Sequence, residues 1–389
     1  MSLRMILSVI IVNYNVKFFL EQCLSSLTKA VAASPELNGK VEVIVIDNAS
    51  TDGSVPFLEP IFPAFQFIQN KENKGFAKAN NQAIPACTGE FVLFLNPDTI
   101  LAEDLLEKCI LFLRRTTDAG ALGLRMIDGS GKYLKESKRG FPSPLASFYK
   151  MSGLSRIFPR SKKFSAYYMS HLNEDENHSV EILSGAFMMV RKNILDKTGG
   201  FDEQFFMYAE DIDLSFRISQ TGFRNYYFSG ATLIHFKGES TPKDRRQVKI
   251  FYHAMILFMK KHFKGSRSSV QLFFLQMAVK LQQQVAILLL PFRKQDSGPR
   301  VAGRVYISGD STAKKHWALR FKIENMQLTD HIDDATEIIY CEGAGHSWKS
   351  IIEQLGSGKK NIRTAFHGAG THSAVGSASG NSGSRILEL

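Results

Sequence analysis

The chain has 389 residues, of which 44% are hydrophobic and 22% are charged, and its formal net charge at pH 7 is +11. This length allows two or three domains with large hydrophobic cores, and the ordinary composition excludes a wholly disordered chain. The four cysteines form no CxxC pair and no cluster with histidine, which argues against a disulfide framework or a structural zinc site. We therefore expect a globular protein of the reducing cytosol, without a signal peptide.

The positive charge is concentrated in two stretches, residues 132–163 and 237–267. In the second stretch, Glu239 and Asp244 are the only acids among many lysines and arginines. Basic stretches of this kind suit nucleic acids, anionic lipids or phosphate-bearing substrates, although a solvated basic surface explains either one alone equally well. Because no nucleic-acid-binding motif accompanies them, we predict no nucleic acid partner.

The first hundred residues alternate between apolar runs and helical patterns. Apolar runs at 7–12 and 41–46, a short strand at 65–68 and the run in GEFVLFLNPD predict four strands. After the first of them, leucines recur at helical spacing at Leu20 and Leu24. This alternation predicts an α/β fold with a mostly parallel open sheet, in which ligands bind at the carboxyl ends of the strands.

Polar residues follow the ends of these predicted strands. Because the carboxyl ends of parallel strands meet at one edge of the sheet, we expect these side chains to form one rim and to line the binding site. The residues of this predicted rim are Asp47, Asp52, Asn73, Lys74, Asn96 and Asp98.

Three acids are crowded into the stretch MYAEDIDLSFR, at Glu210, Asp211 and Asp213. The pattern predicts a helix that ends at Gly222, and acids in a first helical turn interact favourably with the helix dipole. A helix start needs only one acid, whereas adjacent acids repel each other unless a cation or a reacting proton lies nearby. The stretch is therefore a candidate catalytic site, and His235 ends a further predicted strand near the same rim.

The chain contains seven sequence blocks, each of which is a weak signal alone but which are specific when they occur together in this order. They are SVIIVNYN, VIVIDNASTDGS, NKGFAKANNQAI, GEFVLFLNPDT, LSGAFMMVRK, GGFDEQFFMYAEDIDLSFR and IHFKGEST. In these blocks, over about residues 6–240, the chain resembles the family 2 glycosyltransferases, and more narrowly their rhamnosyltransferase-type members. The resemblance implies the GT-A nucleotide-sugar-binding fold. It also implies that a glycosyl group, with rhamnose as the sugar of this branch, is transferred from a nucleoside diphosphate donor of the dTDP or UDP type, with inversion at the anomeric carbon.

The resemblance assigns donor-binding roles to part of the rim. Asp47 is expected to accept a hydrogen bond from a uracil or thymine base. Asp52 and the turn formed by Asn73, Lys74 and Gly75 are expected to flank the ribose and the diphosphate. Further substrate contacts are expected from Asn15, Asn96 and Asp213.

The metal and the base are implied in the same way. Asp98 corresponds to the last acid of the family's DxD metal motif, although Asn96 stands in place of its first acid, and His235 corresponds to a second ligand. Magnesium or manganese held there would stabilise the leaving diphosphate. Asp211 corresponds to the general base that takes the proton of the acceptor hydroxyl, with Glu210 beside it.

Two other classes of protein share part of this pattern. A nicotinamide-dependent dehydrogenase would carry GxGxxG after its first strand, where this chain has NYNVKF, so we reject that class. A non-catalytic nucleotide-sugar or glycan-binding module on the same fold remains the alternative, because a sequence does not show turnover. Release of nucleotide on mixing donor with acceptor separates the two.

The sequence after the resemblance predicts two further units. Residues 241–295 form a basic segment with an apolar stripe at helical spacing, and its apolar runs are too short to span a membrane. Such a helix is typical of the membrane surface, or packs on the catalytic domain or on another subunit. The stripe consists of Phe274, Met277, Leu281, Val285 and Leu288.

Residues 296–389 predict a small α/β unit of unassigned role. Its tail is rich in glycine and serine, which favours a flexible or loosely packed segment over the alternative of a phosphate-cradling loop. The predicted organisation is thus a glycosyltransferase domain at 1–240, a basic helical segment and this unit. We expect the protein to act in cell-envelope polysaccharide synthesis on a glycan or lipid-linked acceptor. It would be cytoplasmic and peripheral on the inner face of the cytoplasmic membrane.

Overall fold

The computed structural model contains two β-sheets with helices packed against them. It describes residues 4–238, 245–263, 268–289, 303–323, 327–357, 362–377 and 384–389. The helices are α1 (Lys17–Ala32), α2 (Ser54–Leu58), α3 (Phe76–Ala83), α4 (Leu105–Arg115), α5 (Pro144–Met151), α6 (Leu154–Ile157), α7 (Lys192–Thr198), α8 (Glu210–Gln220), α9 (Arg245–His262), α10 (Ser268–Leu289), α11 (Ser311–Ile323) and α12 (Trp348–Ser357).

The first sheet is formed by the N-terminal part of the chain. Its strands are β1 (Leu7–Asn13), β2 (Val41–Asp47), β3 (Gln66–Gln69), β4 (Phe91–Leu95), β5 (Thr99–Leu101), β6 (Ala119–Ile127), β7 (His178–Val180), β8 (Phe187–Arg191) and β9 (Arg224–His235). Their order across the sheet is β3-β2-β1-β4-β8-β6-β9-β5, and β7 pairs with β9.

The directions of these strands confirm the α/β class and refine the predicted sheet. From β3 to β4 the neighbouring strands are parallel, as predicted. Beyond β4 the sheet is mixed, because β8 runs antiparallel to β4 and β6, and β5 and β7 run antiparallel to β9. The apolar patterns predicted strands at 182–190 and 228–236, near β8 and β9, but not their directions, since β8 lies beside β4 in space but far from it along the chain.

The strand β1 explains why its sequence is a continuous apolar run. Val9 and Ile11 join the core on one face of the sheet, whereas Ile10 and Val12 join the core on the other face. Successive strand residues point to opposite faces, so a strand that is covered on both sides needs apolar residues at every position. Apart from Ser8, whose hydroxyl donates to Glu42, the first polar residue is Asn13, which ends the strand.

The second sheet is formed by β10 (Arg304–Gly309), β11 (Gln327–Leu328), β12 (Glu337–Cys341), β13 (Arg363–His367), β14 (Ser373–Ser377) and β15 (Ser384–Glu388), in the order β11-β10-β12-β13-β14-β15. The predicted C-terminal α/β unit is thus confirmed. The prediction of a flexible tail is wrong for β14 and β15, which form an antiparallel pair. In β14, Ala374 and Val375 are fully buried, and Gly376 lies so close to the Thr364 carbonyl that a Cβ atom would clash.

The two sheets share one apolar cluster. Trp348 and Phe366 from the C-terminal unit belong to the same cluster as Phe19 and Phe236 from the first sheet. A polar contact lies beside it, where the buried Glu21 of α1 accepts hydrogen bonds from the second sheet. The domain boundaries predicted at residues 240 and 295 remain a prediction. The apolar cluster and the Glu21 contact join the first sheet to the second sheet across both of these positions.

The basic helical segment contributes α9 and α10. In α9, Ala254 and Phe258 pack against Phe205 and Ala209 of the first unit. Of the predicted stripe on α10, Met277, Leu281, Val285 and Leu288 are exposed, and the Phe274 side chain lies outside the described residues. Among the helices that the structure describes, none combines the length and the hydropathy that crossing a membrane requires.

Candidate active site

The predicted rim begins where β1 and β2 end side by side. Asn13 and Asp47 are directly opposite each other in the parallel pair, and the Asp47 Oδ1 atom accepts a hydrogen bond of 2.8 Å from Asn13 Nδ2. The Asp47 Oδ2 atom accepts a second bond from the Ser50 backbone N–H. The Asn13 Oδ1 atom is buried without a partner among the described residues. Asn13 is a rim residue that the sequence analysis missed, although its place at the end of the first strand was a usable signal.

Asp52 and Asn15 join the loops on this side of the rim. The Asp52 carboxylate accepts hydrogen bonds from the backbone N–H groups of Lys17 and Ser54, which lie at the starts of α1 and α2. Asn15 has a positive φ of 54° and accepts a bond from the Thr51 N–H. Both side chains therefore fix the loop geometry, and their contacts with ribose and diphosphate remain a prediction.

The turn from Asn73 to Gly75 is held by a second residue that the sequence analysis missed, the buried Asn48. Its Nδ2 atom donates to Asn73 Oδ1, and its Oδ1 atom accepts from the Lys74 N–H. Gly75 has a φ of 81°, and a Cβ atom there would lie 2.3 Å from the Phe206 carbonyl oxygen. Only glycine fits this position, which brings the turn against the loop that leads into the acidic cluster.

The predicted metal ligands lie together at the ends of β4, β5 and β9. Asp98 and His235 are both buried, and 3.4 Å separates Asp98 Oδ1 from His235 Nε2. The Asn96 side chain lies 3.5 Å from the same imidazole nitrogen. The antiparallel pairing of β5 with β9 sets this geometry, because it places Thr99 opposite His235. The prediction that Asp98 and His235 share one rim position thus agrees with the structure.

The residues of this pair fit a divalent cation. The Asp98 Oδ1 atom is buried and has no hydrogen-bond partner among the described residues, as expected of an oxygen that awaits a ligand. No group of three or more metal-binding side chains occurs in the described part of the chain. Magnesium commonly uses one or two protein ligands and completes its shell with water and substrate phosphates, so two side chains are sufficient.

The acidic cluster begins α8 and follows a strained turn. Tyr208 and Ala209 have positive φ values of 72° and 66°, a conformation that costs roughly 1–3 kcal/mol for each such residue. The Asp211 Oδ2 atom accepts hydrogen bonds from Arg139 Nη2, at 2.5 Å, and from the Gly185 N–H, at 3.1 Å. The neighbouring Ala186 carbonyl accepts a bond from the Asn96 N–H. Two consecutive residues therefore connect the acidic cluster to the metal-binding side of the rim.

Arg139 is the third residue that the sequence analysis missed. It belongs to the basic stretch 132–163, which was interpreted as a phosphate-binding or solvated surface, but its guanidinium is largely buried. Burial disfavours its charge, yet the interactions with Asp211 and Tyr167 together outweigh this effect and raise the pKa of Arg139. Lys138 is also buried, so part of this stretch serves the interior of the protein.

Glu210 is buried, and its Oε2 atom has no hydrogen-bond partner among the described residues. Burial, and to a smaller degree the charge of Asp211, raise the pKa of Glu210 from 4.5 to about 8. Glu210 is therefore protonated at neutral pH, whereas Asp211 forms an ion pair. The two adjacent carboxyl groups thus differ in their protonation state, a difference that the sequence alone did not reveal.

We expect Glu210 to make folding stability depend on pH. In the unfolded chain it loses its proton near pH 4.5, but in the folded protein only near pH 8. The folded state holds the extra proton between these values, so the free energy of unfolding falls as pH rises. E210Q cannot ionise, and its stability relative to the wild type should increase by about 1–3 kcal/mol from pH 5 to pH 8. Urea unfolding at both pH values measures this change, and an unchanged difference would contradict it.

Asp213 lies apart from the rim. Its side chain is fully buried and contacts Arg217 Nε at 2.7 Å, Lys261 Nζ at 2.6 Å and His262 Nε2 at 2.7 Å. Arg217 belongs to α8, like Asp213 itself, whereas Lys261 and His262 belong to α9. The carboxylate therefore joins the two helices. This leaves it poorly placed for the expected substrate contact, and the position points to a structural role.

Comparison with known proteins agrees with this geometry. Residues 8–199 match the family model described as glycosyl transferase family 2. An N-acetylglucosaminyl-diphospho-decaprenol L-rhamnosyltransferase of Mycobacterium tuberculosis is 31% identical over 251 residues, which cover 61% of this chain and 78% of that protein. Rhamnosyltransferase WbbL of Escherichia coli K12 is 31% identical over 174 residues, which cover 42% of this chain and 61% of that protein.

Solved structures are similar at lower identity. The mannosyltransferase PcManGT from Pyrobaculum calidifontis, in complex with GDP-Man and Mn²⁺, has a TM-score of 0.47 and 19% identity, covering 83% of this chain and 81% of that one. Staphylococcus aureus TarS has a TM-score of 0.45 and 21% identity, covering 77% and 45%. With its family-model match and its rhamnosyltransferase relatives, the chain belongs to the family 2 glycosyltransferases.

Proposed function

We propose that this glycosyltransferase is metal-dependent and inverting, and that it transfers a sugar from a nucleoside diphosphate donor to a lipid-linked acceptor. One observation carries the proposal. Gly185 and Ala186 connect Asp211 directly to Asn96, beside Asp98 and His235. This connection supports a fixed distance between a carboxylate that would take the acceptor proton and a cation site that would hold the donor diphosphate, and glycosyl transfer needs both.

Asp98 and His235 would hold the cation, and Asn13 and Asp47 would bind the base of the nucleotide. When bound, Mg²⁺ or Mn²⁺ supplies Lewis-acid stabilisation of the negative charge on the leaving diphosphate. The buried, unpartnered Asn13 Oδ1 and Asp98 Oδ1 atoms support these two contacts, because each gains a partner when the donor binds.

Asp211 would accept the proton of the acceptor hydroxyl. Its ion pair with Arg139 and its bond from the Gly185 N–H fix the orientation of the carboxylate. A base that acts from the face opposite the leaving diphosphate gives inversion at the anomeric carbon. Glu210, protonated at neutral pH, adds no second negative charge beside it, so the acceptor approaches a single anion.

The relatives support a particular substrate class. The mycobacterial relative is named for L-rhamnosyl transfer to a diphospho-decaprenol acceptor, and the relative in E. coli is also a rhamnosyltransferase. We therefore propose rhamnose on a dTDP- or UDP-type nucleotide as the donor, and a polyprenyl-diphosphate-linked glycan of the cell envelope as the acceptor.

The experiment that tests this function is a panel of nucleoside diphosphate sugars with and without Mn²⁺. Thermal unfolding reports binding, since a ligand that binds only the folded state raises its stability. The cognate donor should raise the unfolding temperature only with the metal, and nucleotide should be released when a polyprenyl-diphosphate-linked sugar is added. Donor binding without release at any acceptor would favour the non-catalytic module.

We further propose that the protein binds the membrane surface through α10 and α5, which contact each other. Leu281 and Leu288 on α10 are 67% and 69% exposed, and Leu145 and Phe148 on α5 are 54% and 55% exposed. Apolar side chains flanked by bases are typical of helices that lie in the membrane interface.

We expect the wild-type chain to bind vesicles of anionic lipid, and the double variant L281E/V285E to bind them much more weakly. A loss of at least roughly tenfold is expected, because two apolar anchors are replaced by charges that an anionic surface repels. L319E is the control, since Leu319 is an exposed leucine on α11, in the C-terminal unit. Flotation with vesicles measures binding, and equal flotation of all three proteins would refute this surface.

A further inference from the structure

A cavity of about 460 Å³ lies between α9, α10 and the segment that leads into the acidic cluster. One wall is apolar and includes Phe205, Ile250 and Leu257, whereas Lys249 and His253 from α9 supply basic groups at the same cavity. The cavity therefore offers an apolar surface and positive charge together. This combination suits a ligand that has an apolar chain and an anionic head.

The cavity is built from the same backbone as the catalytic rim. Phe205 and Ala209 pack with Ala254 and Phe258 of α9, and Ala209 directly precedes Glu210. The Phe206 carbonyl contacts the turn at Gly75 on the donor side. A ligand in this cavity would thus lie next to the acidic cluster, which we propose takes the proton of the acceptor.

The charge around the cavity points to an anionic ligand. Neither α9 nor α10 contains an acidic residue. The nearby carboxylates of Asp202 and Asp213 already contact Lys261. Lys249 and His253 have no carboxylate within ion-pair distance among the described residues, so their hydrogen-bond donors are available to a phosphate.

The surroundings of the cavity indicate where the apolar end of the ligand goes. Gln283 of α10 lines the cavity, and the neighbouring Leu281 and Val285 are exposed on the same helix. Leu281 and Val285 are each two positions from Gln283 and therefore lie on the other face of α10, so a chain that leaves the cavity around this helix would reach the apolar stripe through which we propose membrane contact.

We infer that this cavity is the subsite for the acceptor lipid. Resting on the proposed function, the inference assigns the diphosphate of a polyprenyl diphosphate to Lys249 and His253 and its first isoprene units to the wall of Phe205, Ile250 and Leu257. The sugar attached to that diphosphate would then extend toward the acidic cluster. The lipid chain would leave along α10 to the membrane.

Binding of farnesyl diphosphate to the full chain tests the inference. The measurement is made with chelator present, so that a metal-dependent diphosphate site does not contribute. Farnesyl diphosphate should bind at least roughly tenfold more tightly than either farnesol or inorganic diphosphate, because the cavity recognises both ends of the ligand. K249A combined with H253A should weaken it at least roughly tenfold. K260A, which removes an exposed lysine of the same helix outside the cavity, should leave it unchanged.

A second variant, L257W, fills the cavity without changing its charge, and it should also weaken farnesyl diphosphate at least roughly tenfold. Thermal unfolding and manganese-dependent nucleotide binding, both at wild-type values, confirm that a variant is folded. Equal affinity of farnesyl diphosphate and inorganic diphosphate would reduce the site to a phosphate site and overturn the inference, as would unchanged binding by K249A/H253A and L257W. If the lipid binds as expected but no donor sugar is ever transferred, the proposed function fails and the cavity assignment stands.

Discussion

The variant D211N is expected to lower the rate of glycosyl transfer roughly 10²–10⁴-fold, which corresponds to about 3–5 kcal/mol of activation free energy. Asparagine keeps the shape of the side chain and its acceptor oxygen for Arg139 Nη2 and the Gly185 N–H. It does not accept a proton from the acceptor hydroxyl. Binding of the nucleoside diphosphate should therefore remain at the wild-type level, and single-turnover transfer with saturating donor measures the chemical step.

The neighbouring carboxyl group provides the matched control for this variant. E210Q replaces a group that is already protonated at neutral pH, so we expect it to retain most of the activity there. Near-wild-type transfer by D211N together with inactive E210Q would move the role of base to Glu210. Activity in both variants would remove the catalytic interpretation of the acidic cluster, which would then serve only as a helix start.

The second large effect is expected from D98A, which should abolish the part of the nucleotide affinity that depends on Mg²⁺ or Mn²⁺. Asp98 supplies the carboxylate of a buried pair with His235. Transfer should fall by several kcal/mol of transition-state stabilisation, or roughly 10²–10³-fold, because the charge on the leaving diphosphate is no longer neutralised. Calorimetric titration of the nucleoside diphosphate with manganese and with chelator separates the two contributions.

D104A is the control for this titration, since Asp104 is an acid of the same region that forms surface ion pairs with Lys108 and Lys349. It should bind nucleotide as the wild type does under both conditions. If the wild-type protein binds nucleotide equally well in manganese and in chelator, the metal site at Asp98 and His235 is refuted. The rim would then have to stabilise the diphosphate with its own hydrogen-bond donors.

The sequence predicted most of the rim because its residues follow strands that are local and strongly patterned. Asp47, Asn73 and Asp98 each come directly after an apolar run, or after a short turn that follows one. Parallel neighbours then place them at one edge without any knowledge of side-chain contacts. The turn at Gly75 was predicted for the same reason, although its close contact with Phe206 was not.

The residues that the sequence did not reveal act through contacts between distant parts of the chain. Arg139 forms an ion pair with Asp211, although it belongs to a stretch that resembles a basic surface. Asp213 contacts Lys261 and His262 of α9 and therefore does not lie at the rim. Neither contact leaves a periodic or spacing signal. Strands β14 and β15 were missed because glycine and serine usually indicate flexible chain, whereas here Gly376 allows a close approach to the Thr364 carbonyl.

The central claim is that one rim joins a cation site for the donor to a base for the acceptor. Its most direct test is acceptor-dependent release of nucleoside diphosphate from the donor by the wild-type protein, with the anomeric configuration of the product read by NMR. We predict release that requires both acceptor and Mg²⁺ or Mn²⁺, and a product of inverted configuration. Retained configuration, or release that proceeds equally without the metal, would contradict the claim.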